Sequence, residues 1–228
     1  MTGRSRPPYL ALTKAVGYAA AEFARLRRPR RVIADEGLAW RELVACIVGS
    51  ASRYEQAMSA TDAICALLPE PWAMTRKERA SLLTDLVTDP SGRLRTRFPR
   101  AHARYIAGAI DALYVRGDGL SGILGRSRSA SDVRAALVQS IPGIGPKQAS
   151  LLLVNLGRSD DLAVLDRHIL RYMVWVGLLD RDSPPSSLRR YEAVEESFRT
   201  HAELLGHRVT DLDRAVWLTS RVWAGVMS

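Results

Sequence analysis

The sequence predicts an all-α fold, and three observations carry that prediction. Apolar residues recur at three- and four-residue intervals along most of the chain, which is the spacing of one helix face. Strand signals are confined to Arg31–Ile33 and Leu162–Leu165, each too short and isolated to build a sheet. Turn-forming residues gather at a few seams: Asp89-Pro90-Ser91-Gly92, the Gly-, Ser- and Arg-rich stretch 116–131, and Asp182-Ser183-Pro184-Pro185-Ser186.

Taken in order, Leu12, Val16, Ala19, Phe23 and Leu26 mark a first helix that runs into the basic stretch Arg27-Arg28-Pro29-Arg30-Arg31. A short apolar helix follows, with Trp40 near its start and Leu43, Val44, Ile47 and Val48 along it. Tyr105, Ile106, Ala109, Ile110, Leu113 and Tyr114 form the next stripe. Ser129 and Asp132 have the spacing of a capping box, and Val133, Ala136 and Leu137 line the helix it opens. That helix must stop before Pro142. Gly143-Ile144-Gly145 then lets the chain reverse within three residues. Pro146 suits the first position of a second helix, with Gly145 as its cap. This helix continues through Leu151–Leu156 and stops at Gly157. Asp166 is placed to cap a helix carrying Ile169, Leu170, Met173 and Val174. Leu188, Tyr191, Val194, Phe198 and Leu205 mark another helix, and Leu212, Val216, Thr219, Trp223 and Val226 the last.

Composition narrows the function classes. With 47% apolar residues in 228, the chain can bury a real core, and 25% charged residues is not the balance of a disordered tail. The 33 basic and 24 acidic residues leave a net charge of +9, which favours a polyanionic partner. Eight basic residues stand against one acid in residues 1–31, and eight against two in residues 90–128. Two cysteines, Cys46 and Cys65, make neither a disulfide framework nor a C-x-x-C metal site. The longest run free of charged residues and histidine, Ala135 to Pro146, falls short of the ~20 residues of a membrane span. Lys14 and Glu22 interrupt the N-terminal apolar pattern, so no secretory leader is expected. A soluble, cytoplasmic, nucleoid-associated monomer is the expectation.

Only three of the basic residues are lysines: Lys14, Lys77 and Lys147. Arginine stays protonated, whereas a lysine can act as a nucleophile. Lys147 is the one in a telling place, one residue past Pro146, where the positive end of the helix dipole disfavours a protonated amine. The hairpin itself presents backbone N–H groups and a helix N-terminus, which suit a phosphate oxygen whatever the base sequence. Nineteen residues after Lys147 comes Asp166, followed by His168, a candidate phosphate donor.

The segments I-P-G-I-G-P-K-Q-A-S and V-L-D-R-H resemble the HhH-GPD superfamily of DNA base-excision glycosylases. Within it they are most similar to the archaeal and bacterial second-type 8-oxoguanine DNA glycosylase/AP lyases. The strong match spans residues 131–173, with weaker ones at Glu42–Gln56 and Phe98–Ile110. The resemblance implies two helical lobes with a cleft between them: residues 1–40 with 165–228, and residues 41–164, the latter holding the helix–hairpin–helix of 131–157 at the cleft's edge. It implies duplex DNA carrying a damaged base as the partner, base flipping, Lys147 as nucleophile at C1′ and Asp166 as catalytic carboxylate. Gly143, Gly145, Ile141, Ile144 and His168 would contact the DNA backbone. The carbonyls of Ile141 and Ile144 would hold a monovalent or calcium ion, and no redox cofactor is implied.

Departures from the family pattern also carry expectations. The C-terminal cysteines that hold an iron–sulfur cluster in some relatives have no counterpart here. Ala51 stands where many relatives place the Gln or Asn that fills the gap left by the flipped base. The chain ends in Gly225-Val226-Met227-Ser228 rather than in a recognition lysine, which leaves the damaged base open. Trp217 falls where some relatives stack an aromatic ring on that base, while Trp40, Trp72, Trp175 and Trp223 read as core. Alternatives are the same machinery acting on another damaged or modified base, and a non-catalytic hairpin DNA-binding module. The second has no use for Lys147 and Asp166.

Overall fold

The computed structural model describes residues 9–27, 34–50, 52–75, 96–126 and 129–226, with positions 32, 77, 78, 80, 81 and 84 besides. Among the described residues there are ten α-helices and no strand. The chain divides into two compact units, Met1–Arg30 with Ser159–Ser228, and Arg31–Arg158. The sequence seams at 40/41 and 164/165 therefore move to 30/31 and 158/159. Among the described residues, the helix entered at Glu36 packs on helices of the central unit. Residues 163–165 hydrogen-bond to side chains of the terminal unit.

The central unit is organised on α2 (Glu36–Val48), which packs against α3 (Tyr54–Leu67), α4 (Pro99–Ile110), α5 (Gly119–Arg126) and α7 (Pro146–Asn155), with α6 (Ala130–Ser140) against α5 and α7. Asp35 caps α2 by accepting from the Leu38 N–H at 2.8 Å. Trp40, Leu43, Val44, Ile47 and Val48 are all buried, so most of α2's surface faces other helices. Trp40 donates its indole N–H to the Leu68 carbonyl at 3.1 Å, and Tyr114 meets the rings of Trp40 and Trp72. Each fully buried side chain of this size contributes roughly 1.5–3 kcal/mol of transfer free energy. α4 runs on through one π-helical turn, Asp111–Val115, closed by the Arg116 N–H on the Asp111 carbonyl at 3.0 Å.

In the terminal unit, α1 (Tyr9–Leu26), α8 (Arg167–Trp175) and α9 (Leu188–Leu204) all pack on α10 (Val209–Val226). Leu12, Val16, Leu170, Met173, Phe198, Leu212 and Val216 fill the core. The buried Tyr172 hydroxyl and His201 Nε2 lie 2.8 Å apart inside it. Arg27 closes α1 on α10 by a 2.5 Å ion pair with the buried Asp211.

Several expectations need correction. Leu26 is 65% exposed, because the apolar stripe of α1 turns through Ala20 instead. Trp72 and Trp175 are half-buried rather than core, and the Trp223 side chain lies outside the described residues. Stretch 116–131 is not all loop, since α5 occupies its middle. α3 has no counterpart among the helices that the apolar spacing predicts. Residues Asp89 to Gly92 lie outside the described residues.

Candidate active site

The hairpin joins α6 to α7. Ser129 caps α6 by accepting from the Asp132 N–H at 3.1 Å, as the box spacing implies. The helix ends at Ser140, and the Ile144 N–H returns to the Ile141 carbonyl at 3.2 Å to close the turn. The two glycines play different parts. Gly143 has φ +83°, a left-handed conformation that disfavours a side chain, and a Cβ there would sit 2.5 Å from Tyr105 Cγ. Gly145 is extended, φ −91°, and its place is that of an N-cap with no side chain to take up the first N–H groups of α7. The helix start is thus left as backbone, the arrangement that suits an anion.

Ile141 and Ile144 are buried, at 2% and 4% exposure, so they anchor the hairpin and present only main-chain atoms. Tyr105 belongs to the same construction. Its spacing places it on the inner stripe of α4, but it is 40% exposed and lays its ring against Gly143. Gly108, one turn on, makes room for Pro142, whose Cγ would lie 3.0 Å from a Cβ there. Neither contact is legible in the sequence, because each joins residues more than 30 positions apart.

Lys147 is half-buried in the first turn of α7. The next residue, Gln148, lies 3.4 Å by its Nε2 from Ser50 Oγ, and Asn155 donates to Glu42 at 3.0 Å, so both ends of α7 are tied to α2 or its end. Between these ties lies Cys46, whose thiol burial pushes up to about 12; Glu42 adds to the rise and Lys147 opposes it. On the other side of α7, the fully buried Arg134 donates to Ser150 at 3.2 Å, joining the two hairpin helices. The apolar pattern of α6 gives no hint of a buried arginine.

Asp166 stands in the other unit as the N-cap of α8. Its Oδ1 accepts from the N–H groups of His168 at 2.7 Å and Ile169 at 3.0 Å. Both bonds use one oxygen, so the cap does not require Oδ2. His168 is half-buried, with Arg167 Nε 3.4 Å from its ring. Burial holds its imidazole below the ordinary histidine value; Asp166 pulls the other way, and Arg167, Arg171 and Arg221 press it further down. Trp217 is 40% exposed, with the Arg221 guanidinium 4.6 Å over its ring, so it is not a core tryptophan. Ala51 lies outside the described residues.

Among the described residues, no three His, Cys, Asp or Glu side chains group as a metal site. An ion at the hairpin would therefore rest on main-chain oxygens. The Ile141 carbonyl already accepts one N–H, and a carbonyl has a second lone pair to offer. Among the described residues, no helix is long and apolar enough to cross a membrane.

Comparison with known proteins gives concordant matches. A family model described as 8-oxoguanine DNA glycosylase matches residues 20–207. A Methanocaldococcus jannaschii protein named 8-oxoguanine DNA glycosylase/AP lyase is 34% identical over 121 residues, 53% of this chain and 56% of that protein. The aligned part of the chain thus spans about half the length of that relative. A Metallosphaera sedula protein of the same name is 32% identical over 188 residues, covering 81% of this chain and 82% of the relative. The crystal structure of the M. jannaschii protein superposes with a TM-score of 0.61 at 25% identity, covering 91% of this chain and 85% of that one. That protein has also been solved in complex with a 15mer DNA containing 8-oxoguanine.

Proposed function

The chain belongs to the 8-oxoguanine DNA glycosylase family, and from that premise we propose that it excises 8-oxoguanine from duplex DNA and cleaves the resulting abasic strand. The observation that carries the proposal is the head of α7, where a tight glycine hairpin delivers the half-buried Lys147 beside an uncapped helix N-terminus. Main-chain N–H groups there would hold a phosphate of the damaged strand. The flipped nucleotide would then offer its C1′ to Lys147.

In the proposed chemistry, Lys147 Nζ forms a bond to C1′ as the C1′–N9 bond breaks, and the base leaves with that electron pair and takes up a proton. Asp166 stabilises the positive charge that develops on the sugar. One amine proton is lost and the C1′–O4′ bond breaks, its electron pair and a proton going to O4′, which leaves a protonated Schiff base. Removal of a C2′ proton then expels the 3′ phosphate by β-elimination. His168 would donate to the DNA backbone, and Trp217 would stack on the extruded base, with Arg221 moving off its face. A monovalent or calcium ion on the Ile141 and Ile144 carbonyls would supply charge neutralisation toward the phosphate. The protein would act as a cytoplasmic monomer.

Borohydride trapping on a duplex with 8-oxoguanine opposite cytosine tests this. A covalent adduct with the native protein that disappears in Lys147→Gln is the expected result, with Asp166→Asn sharply slowed. Trapping on an abasic site but not on 8-oxoguanine would remove the substrate and keep the lyase. No adduct on either DNA would overturn the proposal.

A further inference from the structure

The four residues before Asp166 belong to neither a helix nor a strand. Buried main-chain groups in such a segment need partners from elsewhere. Here side chains provide them. The Ala163 N–H donates to Glu195 Oε1 at 2.9 Å, and the Ala163 carbonyl accepts from the Tyr191 hydroxyl at 2.7 Å. The Leu165 N–H donates to that same hydroxyl at 3.0 Å, and the Val164 N–H to Asp213 Oδ2 at 2.6 Å. Tyr191 and Glu195 are each 2% exposed and one turn apart on α9, while Asp213 comes from α10. Arg199 Nη2 holds the far side of Glu195 at 3.7 Å.

We propose that Tyr191, Glu195 and Asp213 form a cradle that positions Asp166 for catalysis; this rests on the function proposed above. Four hydrogen bonds fall on three consecutive residues, and the chain then turns at once, with the Asp166 N–H on the Val164 carbonyl at 2.6 Å. The cradle therefore sets the height and direction at which the Asp166 carboxylate leaves the backbone. The α8 cap sets only the rotation of the side chain. Tyr191 matters most, because its one hydroxyl both donates and accepts and so fixes the spacing between residues 163 and 165.

A positioning role predicts a split between two reactions that a general loss of fold would not produce. Excision of 8-oxoguanine requires Asp166 as the base departs, whereas Schiff-base trapping on a ready-made abasic site has no base to expel. Tyr191→Phe and Asp213→Asn are expected to slow single-turnover excision by ~10-fold or more while changing abasic-site trapping far less. Phe198→Leu, a buried α9 residue outside the cradle, serves as the fold control and should leave the ratio of the two rates unchanged. The proposal is overturned if Tyr191→Phe also leaves that ratio unchanged, or if Phe198→Leu shifts it equally. Amide exchange gives a readout independent of activity. Residues 163–166 should exchange faster in Tyr191→Phe with α8 still protected, and native exchange there would overturn the cradle whatever the enzyme does. Failure of the native protein on both DNA substrates would instead strike at the parent function.

Discussion

Gly143 meets two separate demands at one position. Its φ of +83° lies where an L side chain is strained, and the space a Cβ would take is filled by the Tyr105 ring. Gly143→Ala should therefore destabilise the protein by about 2–4 kcal/mol, the sum of a backbone and an overpacking cost, as read by urea unfolding. Adding Tyr105→Ala removes the ring atoms at 2.5 and 2.7 Å but keeps Cβ at 2.8 Å, so it should return part of the overpacking share and leave the backbone share; an unchanged loss in the double variant would contradict the contact. Gly145→Ser provides the contrast: with an extended backbone and only the Gln148 side chain near, at 3.2 Å, it should cost little stability. The places of Lys147 and Asp166 at helix starts are legible in the sequence because Pro146 and an aspartate before an apolar stripe mark those starts. Tyr105 is not, since an aromatic at helical spacing looks the same whether it faces a core or a glycine.

Among elements, α5 shows what sequence patterning misses. It is eight residues long, too short to hold by itself, and its start is fixed from 84 positions away. The Glu36 carboxylate accepts from the Leu120 N–H at 2.7 Å, the Ser121 N–H at 2.9 Å, the Ser121 hydroxyl, and the Tyr114 hydroxyl at 2.8 Å. A cap drawn from another helix leaves no local signature, so the glycines and serines of that stretch suggest only loop. α6, by contrast, carries its own cap in Ser129, and its start is legible. Burial pushes the Glu36 carboxyl up, but its donors outweigh burial and hold it below the ordinary carboxylate value. The stability it supplies is therefore present above that ordinary value and is lost as pH falls through the lowered one. Glu36→Gln should cost about 1–3 kcal/mol at pH 7. The difference from native should narrow once pH drops below about 4. A gap that stays constant with pH would mean that the charge contributes nothing.

At the scale of the whole molecule, net charge and helical class are readable from composition and period, while the seams between units are not. Those seams depend on long-range contacts such as the hydrogen bonds of residues 163–165 to Tyr191, Glu195 and Asp213. Charge counting also overstates what is available to a polyanion. Arg25, Arg27 and Arg116 each engage an acidic partner, Glu22, Asp211 and Asp111. Arg100 and Arg104 differ: both are exposed, they lie one turn apart on α4, and Arg104 adjoins the Tyr105 that braces the hairpin. Under the proposed function they would meet phosphates flanking the one at the hairpin. Removing one arginine–phosphate pair should reduce the slope of log K against log salt by roughly 0.9. The double variant Arg100→Ala, Arg104→Ala should thus bind duplex DNA more weakly at low salt and lower that slope by about 2. Arg25→Ala with Arg116→Ala removes the same formal charge from paired positions and should barely alter the slope. If both pairs lowered the slope equally in titrations over about 50–300 mM salt, net charge alone would govern binding, and α4 would have no special place in the DNA interface.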